Sequence, residues 1–339
     1  MSRKRLLVVG GGLLSLLFLW LALRGQDWRE VGTAFRQADY RWLLPATVLV
    51  LADYAFRAWR WGLILHPAAG RRLPLSTLFP ILLLGFAANN VLPARAGEVW
   101  RMWGLAHRTD VRKTMALSTL VVERVFDGFT LLFFLVLAGL IHPLDGQARL
   151  VELGTFLLFG GVLVGLLLLL FFEEQTLRIA TTFMWPVPEA LRKRLLTMLG
   201  TFAQGLHALR QPRTLTGIIT GSLLAWGSQA LSFTMILLAF NLSLSPVQLF
   251  SASILMLALI NLIIMIPAGP GNVGTFETGG ILALTIAGVA LTQGDKVAAI
   301  VLVTHMLQWL VVTAIGVFIA TQEGISLAGL SAGPEMNEG

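Results

Sequence analysis

The sequence predicts an all-α polytopic membrane protein of about six full spans plus two re-entrant broken-helix segments, arranged as two inverted-topology repeats. Three observations carry that prediction. The chain is 56% hydrophobic and only 13% charged, with mean hydropathy +0.79, whereas soluble domains carry about 25% charged residues. Its apolar runs are continuous over around 20 positions, the length a helix needs to cross the hydrocarbon core, and they do not alternate as barrel strands do. Finally, one Pro/Gly break occurs twice. Pro93-Ala94-Arg95-Ala96-Gly97-Glu98-Val99 and Pro267-Ala268-Gly269-Pro270-Gly271-Asn272-Val273 share the pattern P-A-x-x-G-x-V.

In chain order, Arg3-Lys4-Arg5 precedes the apolar run 6–23, which is read as an uncleaved first span because Ala22-Leu23-Arg24 is a poor cleavage site. Residues 24–41 read as a polar linker, 42–56 as span two with Asp53 and Arg57 near its end, and 57–77 as a basic loop. The run 78–91 has basic flanks and is about 21 Å long as a helix, too short to cross, so it reads as a re-entrant segment returning through the first break. Spans three and four are 115–141 and 153–172. The long polar section 173–213 is expected to hold one or two amphipathic helices at the membrane surface. Span five is 215–240, 247–266 leads into the second break, 276–291 leads out of it, and 297–320 is the last span. The domain expectation is a single transmembrane unit over 1–321, with one repeat at about 1–141, the other at about 153–321, and a short flexible tail at 322–339.

The net charge of +7 reads as membrane orientation, not nucleic-acid binding, because the basic residues are spread through short loops. With the N-terminus, 57–77, 94–113 and 173–213 inside, 18 Lys and Arg lie on that side against six on the other. The positive-inside rule then puts both termini in the cytoplasm; four arginines in 24–41 oppose it locally. A compact chain of this kind suits a prokaryotic inner membrane. Cysteine is absent, which excludes disulfides, thiolate metal sites and a Cys nucleophile. The five histidines form no metal-binding spacing, so no metal or other cofactor is expected.

The breaks interrupt the helices and create new helix ends. Pro removes a backbone donor and Gly admits positive φ, so no continuous helix survives 265–280, where Pro267, Gly269, Pro270, Gly271, Gly274, Gly279 and Gly280 fall together. Such backbone is tolerated at membrane depth only where protein or a water-filled cavity satisfies it, and paired breaks in corresponding halves point to a transporter's binding site. Helix resumes after Gly97 and Gly274, which leaves two N-termini with unpaired N–H groups that favour anions, phosphate included. Packing kinks without a ligand would look the same. Arg95 and Arg101 flank the first break and are suited to clamp phosphate, or are simply inside-facing arginines. Asn89 and Asn90 precede it and are placed to cap broken ends.

Span three carries Glu123, Arg124 and Asp127 within one arc of about 100°. A charge at a helix centre costs about 2.5–3.5 kcal/mol on insertion scales, so the three must be partnered. Arg124 reaches Asp127 one turn on, or Glu98. Glu277, Asn261 and His305 are further polar residues in apolar surroundings, with Glu277 best placed, in the first turns after the second break. Gly269 to Gly274 also spells G-x-G-x-x-G, but it ends a span-length apolar run with no βαβ pattern around it, so nucleotide binding is not expected. Gly161/Gly165 and Gly217/Gly221 read as close helix-packing contacts.

Taken together, the chain resembles the lysylphosphatidylglycerol synthetase transmembrane-region family, or flippase-like domain. The likeness rests on Asn89-Asn90-Val91-Leu92-Pro93-Ala94-Arg95-Ala96-Gly97-Glu98 with Arg101, then Glu123-Arg124 with Asp127, then Pro267-Ala268-Gly269-Pro270-Gly271 with Gly274 and Glu277. It covers nearly the whole chain. What the resemblance implies is movement of a lipid between leaflets, in some members alongside polyisoprenoid or glycolipid pathways and in others beside a fused aminoacyl-lipid synthase. About 18 residues come after the last span here, so aminoacyl transfer is not expected of this chain, and a separate lipid-modifying synthase is the partner it suggests.

The resulting expectation is a non-enzymatic translocase of an anionic or aminoacylated phospholipid, or of a polyisoprenyl-phosphate-linked lipid. Arg95, Arg101 and Arg124 would hold phosphate; Glu98, Asp127 and Glu277 would balance them or bind a cationic group or proton. A membrane enzyme acting on a lipid carrier, a transporter of soluble substrates, and a non-catalytic accessory of cell-envelope synthesis are the other readings.

Overall fold

A computed structural model of the chain describes residues 3–92, 96–141, 211–266 and 269–323, with parts of 153–200. All regular structure among the described residues is helical. Helix α1 (Arg3–Leu23) is followed by α2 (Trp28–Gln37), whose first turn is closed by the Asp27 carboxylate accepting from the Arg29 N–H at 2.8 Å. The expected polar linker is therefore a helix. Its charged residues fall on one side and Val31 and Ala34 are buried on the other, the division of a surface helix.

Helix α3 (Leu43–Ala69) corrects the expectation for span two. It does not end near Phe56 but runs three turns further, with Arg57, Arg60, Trp61 and Leu65 buried along it, and stops at Gly70 in the left-handed region (φ 64°). The first part of the expected basic loop, 57–69, is helix that buries Arg57 and Arg60, whereas Arg71 and Arg72 beyond it are exposed. Helices α4 (Leu75–Val91) and α5 (Gly97–Arg108) flank the first break. Then come α6 (Lys113–Ile141), α7 (Glu173–Phe183) in the expected surface section, and α8 (Pro212–Ala239). Helix α9 (Pro246–Ile263) opens on a reciprocal Ser245–Gln248 cap. A short 3-10 turn (Pro270–Asn272), α10 (Thr275–Ile286) and α11 (Val289–Gln322) complete the chain. The expected span over 153–172 lies largely outside the described residues.

Among the described residues four helices are long and apolar enough to cross a bilayer: Met115–Ile141, Pro212–Ala239, Pro246–Ile263 and Val289–Gln322. Leu13, Leu16, Leu44, Val48, Phe133 and Phe318 turn outward, as expected where the surrounding solvent is lipid.

Two cores organise the bundle. One joins residues of α3, α4, α5 and α6, including Trp61, Leu65, Leu82 and Leu105. The larger one joins α6, α8, α9, α10 and α11. The broadest contact between described helices is α3 against α8, made close by Gly217 and Gly221, where an added Cβ would lie 2.7 Å from Leu63 and 3.0 Å from Arg60. Among the described residues nothing lies within 4 Å of a Cβ on Gly161 or Gly165, and the rest of their segment lies largely outside the described residues. Packing is also reciprocal: α4 lies on α5 and α11, while α9 lies on α10 and α6. Gly316 of α11 meets Ala87 of α4 without space for a side chain, and Gly279 of α10 meets the Ile260 backbone.

Candidate functional site

Two polar clusters occupy the apolar bundle. The first lies where α3, α5 and α6 meet beneath α8. Glu123 and Asp127 are one turn apart on α6 and both face inward. Arg101, on α5, grips Glu123 with two parallel hydrogen bonds of 3.0 and 2.7 Å, the bidentate geometry in which guanidinium matches carboxylate. Arg60 of α3 donates to Asp127 at 2.8 Å and lies 3.8 Å from Glu123. Arg57, one turn back, holds Asp53 at 2.7 Å and lies 3.7 Å from Asp127. Helix α8 covers the group: the Trp226 indole donates to Asp127 at 3.0 Å, Ser222 accepts from Arg60 at 2.8 Å, and Gln229 accepts from Arg57 at 3.3 Å. Two rings cover guanidinium faces, Trp226 over Arg57 at 4.2 Å and Trp61 over Arg101 at 4.4 Å, which offsets part of the desolvation.

The open end differs. Arg124 turns away from Glu123 toward the edge of the bundle, its side chain 41% exposed, and lies 3.4 Å from Glu98 and 3.5 Å from Asp127. Those distances exceed the 2.7–2.9 Å usual for charge-assisted bonds. Asp53, Arg57, Arg60, Glu98, Arg101, Glu123, Arg124 and Asp127 thus form one continuous network of four positive and four negative groups. Six of the eight are buried and tightly paired; the two at the first break are half-exposed and loosely paired. An incoming anion can compete for Arg124, and a cation for Glu98, without breaking the core pairs. Arg60 Nε and Nη2, Arg101 Nε and Asp127 Oδ2 keep hydrogen-bonding capacity that no described partner fills.

The second cluster is built on the breaks. Asn89 accepts from the Gly97 N–H at 2.7 Å, capping the restarted helix α5 as expected of it. Asn90 donates to Thr313 of α11 at 3.0 Å, and its carbonyl accepts from the Trp309 indole at 3.4 Å. At the other break Gly271 (φ 68°) and Gly274 (φ 87°) adopt conformations open to glycine. A Cβ on Gly271 would lie 3.2 Å from the Asn90 carbonyl, so the two breaks abut. Ser15 of α1 accepts from the Gly269 N–H at 2.7 Å, and Pro270 opens the 3-10 turn beside it. Glu277 turns back to accept from the Gly274 N–H at 2.6 Å and meets His305 at 2.6 Å.

The structure therefore places every expected site residue except Pro93, Arg95 and Pro267, which lie outside the described residues. It gathers Glu98, Arg101, Glu123, Arg124 and Asp127 in one cluster and the remaining residues at the breaks. Arg101, expected at a phosphate, is 1% exposed and held by Glu123 through both terminal nitrogens. Asp53, Arg57 and Arg60 were missed because their charges seemed to end a span. Their spacing of four and three residues was the available signal, since it puts all three on one helical face. Among the described residues no three Asp, Glu or His side chains gather as a metal site would require.

Apolar helices around paired internal charges define a multi-pass membrane protein. The chain belongs to the family described as the lysylphosphatidylglycerol synthase transmembrane region, whose pattern matches residues 8–316. It is 27% identical over 298 residues to a UPF0104 membrane protein of Methanothermobacter thermautotrophicus, covering 84% of each chain. A second UPF0104 membrane protein of that organism is 26% identical over 306 residues, covering 85% of this chain and 87% of the relative. Glycosyltransferase AglD of Haloferax volcanii is 26% identical over 322 residues, 88% of this chain, which spans about half of that relative's length (51%). No solved structure matches.

Proposed function

We propose that this protein moves a lipid between membrane leaflets, its headgroup engaging Arg124 and Glu98 at the first break while the acyl chains stay in the bilayer. The observation that carries this reading is the grading of the charge network. Six groups are buried in close pairs, and one half-exposed arginine at the break is held by longer contacts. A phosphate-bearing headgroup can displace the partners of a loosely held arginine, which a fully buried pair does not allow. The lipid is an anionic or aminoacylated phospholipid, or one linked through polyisoprenyl phosphate, and a separate synthase supplies it.

The architecture supports the reading. On this reading α1, α3, α6, α8 and α11 are spans and α4–α5 and α9–α10 re-entrant hairpins. The reciprocal contacts, α4 with α11 and α9 with α6, fit two repeats related by a pseudo-twofold axis in the membrane plane. A relative named as a glycosyltransferase favours, as second reading, a part in group transfer to or from a lipid carrier.

The test is leaflet exchange of fluorescent phospholipids and polyisoprenyl phosphates in proteoliposomes. Arg124→Ala removes a charge-assisted contact worth about 1.5–3 kcal/mol, so exchange should fall roughly 10- to 100-fold while the protein stays folded. Equal exchange by both proteins would remove Arg124 from the mechanism. A folded native chain that exchanges neither lipid class would leave the group-transfer reading.

A further inference from the structure

The second break is held by a histidine that the charge network does not use. His305, on α11, is 8% exposed. Its Nδ1 lies 2.6 Å from Glu277 Oε1 and its Nε2 lies 2.8 Å from the Gly271 carbonyl oxygen. A carboxylate and a carbonyl both accept, while a neutral imidazole carries one N–H. Both contacts are hydrogen bonds only when the Glu277–His305 pair holds one proton more than a neutral ring facing a carboxylate. That holds whether the proton sits on the ring, making it imidazolium, or on Glu277 as the acid. Without it, a ring lone pair faces an oxygen lone pair, and one contact turns repulsive. The carboxylate cannot swing away, because its other oxygen accepts from Gly274 at 2.6 Å. Phe276 stacks on the ring at 4.3 Å and holds its plane.

The carbonyl at stake is at the centre of the break. Gly271 (φ 68°), Asn272 (φ 57°) and Gly274 (φ 87°) are all in the left-handed region, an arrangement its surroundings must hold in place. His305, Trp309 and Thr313 are spaced four residues apart on one face of α11. The first bonds Gly271; the other two bond Asn90, which abuts Gly271. Asn89 beside it caps Gly97. A bond lost at His305 therefore loosens the second break where it touches the first.

We propose that Glu277 and His305 form a proton-binding site that locks the second break onto α4 and releases it when the proton leaves to water. For its purpose the site rests on the translocation reading: a proton taken up and given back would gate the headgroup path. Its chemistry does not rest on that reading. From α10 the facing charged group is Glu277 alone; the turn and α4 present the Gly271 and Asn90 carbonyls. Asp53, Arg57 and Arg60 of α3 are committed to the charge network, and no described contact joins Arg29, Glu30 or Arg36 of α2, or Arg213 of α8, to the ring.

Because the chain has no cysteine, one placed at Val273, 38% exposed within the break, reports opening through its rate of reaction with a maleimide. A second single-cysteine protein, Asp110→Cys, sits in an exposed loop and corrects for the thiolate fraction, which rises with pH by itself. The ratio of the two rates is followed in the purified full chain from about pH 5 to pH 10. It should rise about tenfold on deprotonation, the scale of one lost hydrogen bond, and become flat in His305→Gln and in Glu277→Gln. A flat ratio in the otherwise native chain overturns the proposal. So does a rise that survives in whichever of the two variants folds. Lipid exchange measured over the same pH series separates the two ideas: a rising ratio without exchange sinks translocation and leaves the proton site standing. Exchange with a flat ratio does the reverse.

Discussion

Glu123 is the residue on which the charged interior depends. It takes both hydrogen bonds from Arg101 and lies near Arg60, with no exposed surface. Removing one partner of a buried pair leaves an uncompensated charge at a cost of about 3–5 kcal/mol, whereas replacing both partners by apolar groups of similar size is often neutral. Glu123→Gln should therefore lower the thermal unfolding midpoint in detergent strongly. The double variant Arg101→Met/Glu123→Leu should recover most of that loss, Arg60 keeping its 2.8 Å bond to Asp127. A double variant as unstable as the single one would mean that the pair is not the source of the effect. Residue identity made five of the eight groups of this cluster legible: Glu98, Arg101, Glu123, Arg124 and Asp127 are charges in apolar sequence and call for partners. Asp53, Arg57 and Arg60 also did, but a charged run after an apolar one has two explanations, a helix end or a buried pairing face. Only the facing helix decides between them.

At the scale of elements, the first break is a tight helical hairpin. A Cβ on Gly97 would collide with the Gly85 carbonyl and the Asn89 side chain, so α4 and α5 approach as closely as their backbones allow. Gly97→Ala forces that contact apart. Overpacking of this kind costs about 1–3 kcal/mol, and it also displaces the Asn89 cap. The expected outcome is a lower unfolding midpoint together with faster proteolysis at the break, and an unchanged midpoint would show that the hairpin opens easily. The same close approach explains Gly217 and Gly221 on α8, where the G-x-x-x-G spacing correctly marked a helix contact. Gly161 and Gly165 carry the identical spacing without a described neighbour. Spacing states that a helix has a smooth face; it does not state what lies against it.

For the whole molecule, orientation is the testable consequence. Three of the 18 basic residues assigned to the cytoplasmic side, Arg57, Arg60 and Arg101, are buried in the charge network. The remaining 15 still outnumber the six opposite, so the positive-inside rule still predicts both termini in the cytoplasm. Reporters fused in turn to each end, one active only in the cytoplasm and one only outside it, should both read cytoplasmic. A split result would break the even number of crossings on which the inverted-repeat reading depends.

The sequence by itself determined that this chain is helical and belongs in a membrane, because composition and the length of apolar runs depend on nothing but the solvent each residue prefers. It also located both breaks, since Pro and Gly act on their own backbone wherever they stand. The tertiary structure decided which charges are structural and which stand at an open edge: Arg101 and Arg124 differ in their partners, not in their chemistry. It alone brought Asn90 against Gly271 and His305 against Glu277, residues 181 and 28 positions apart. Contacts of that kind are made by packing, and a single chain written in order carries no record of which helix faces which.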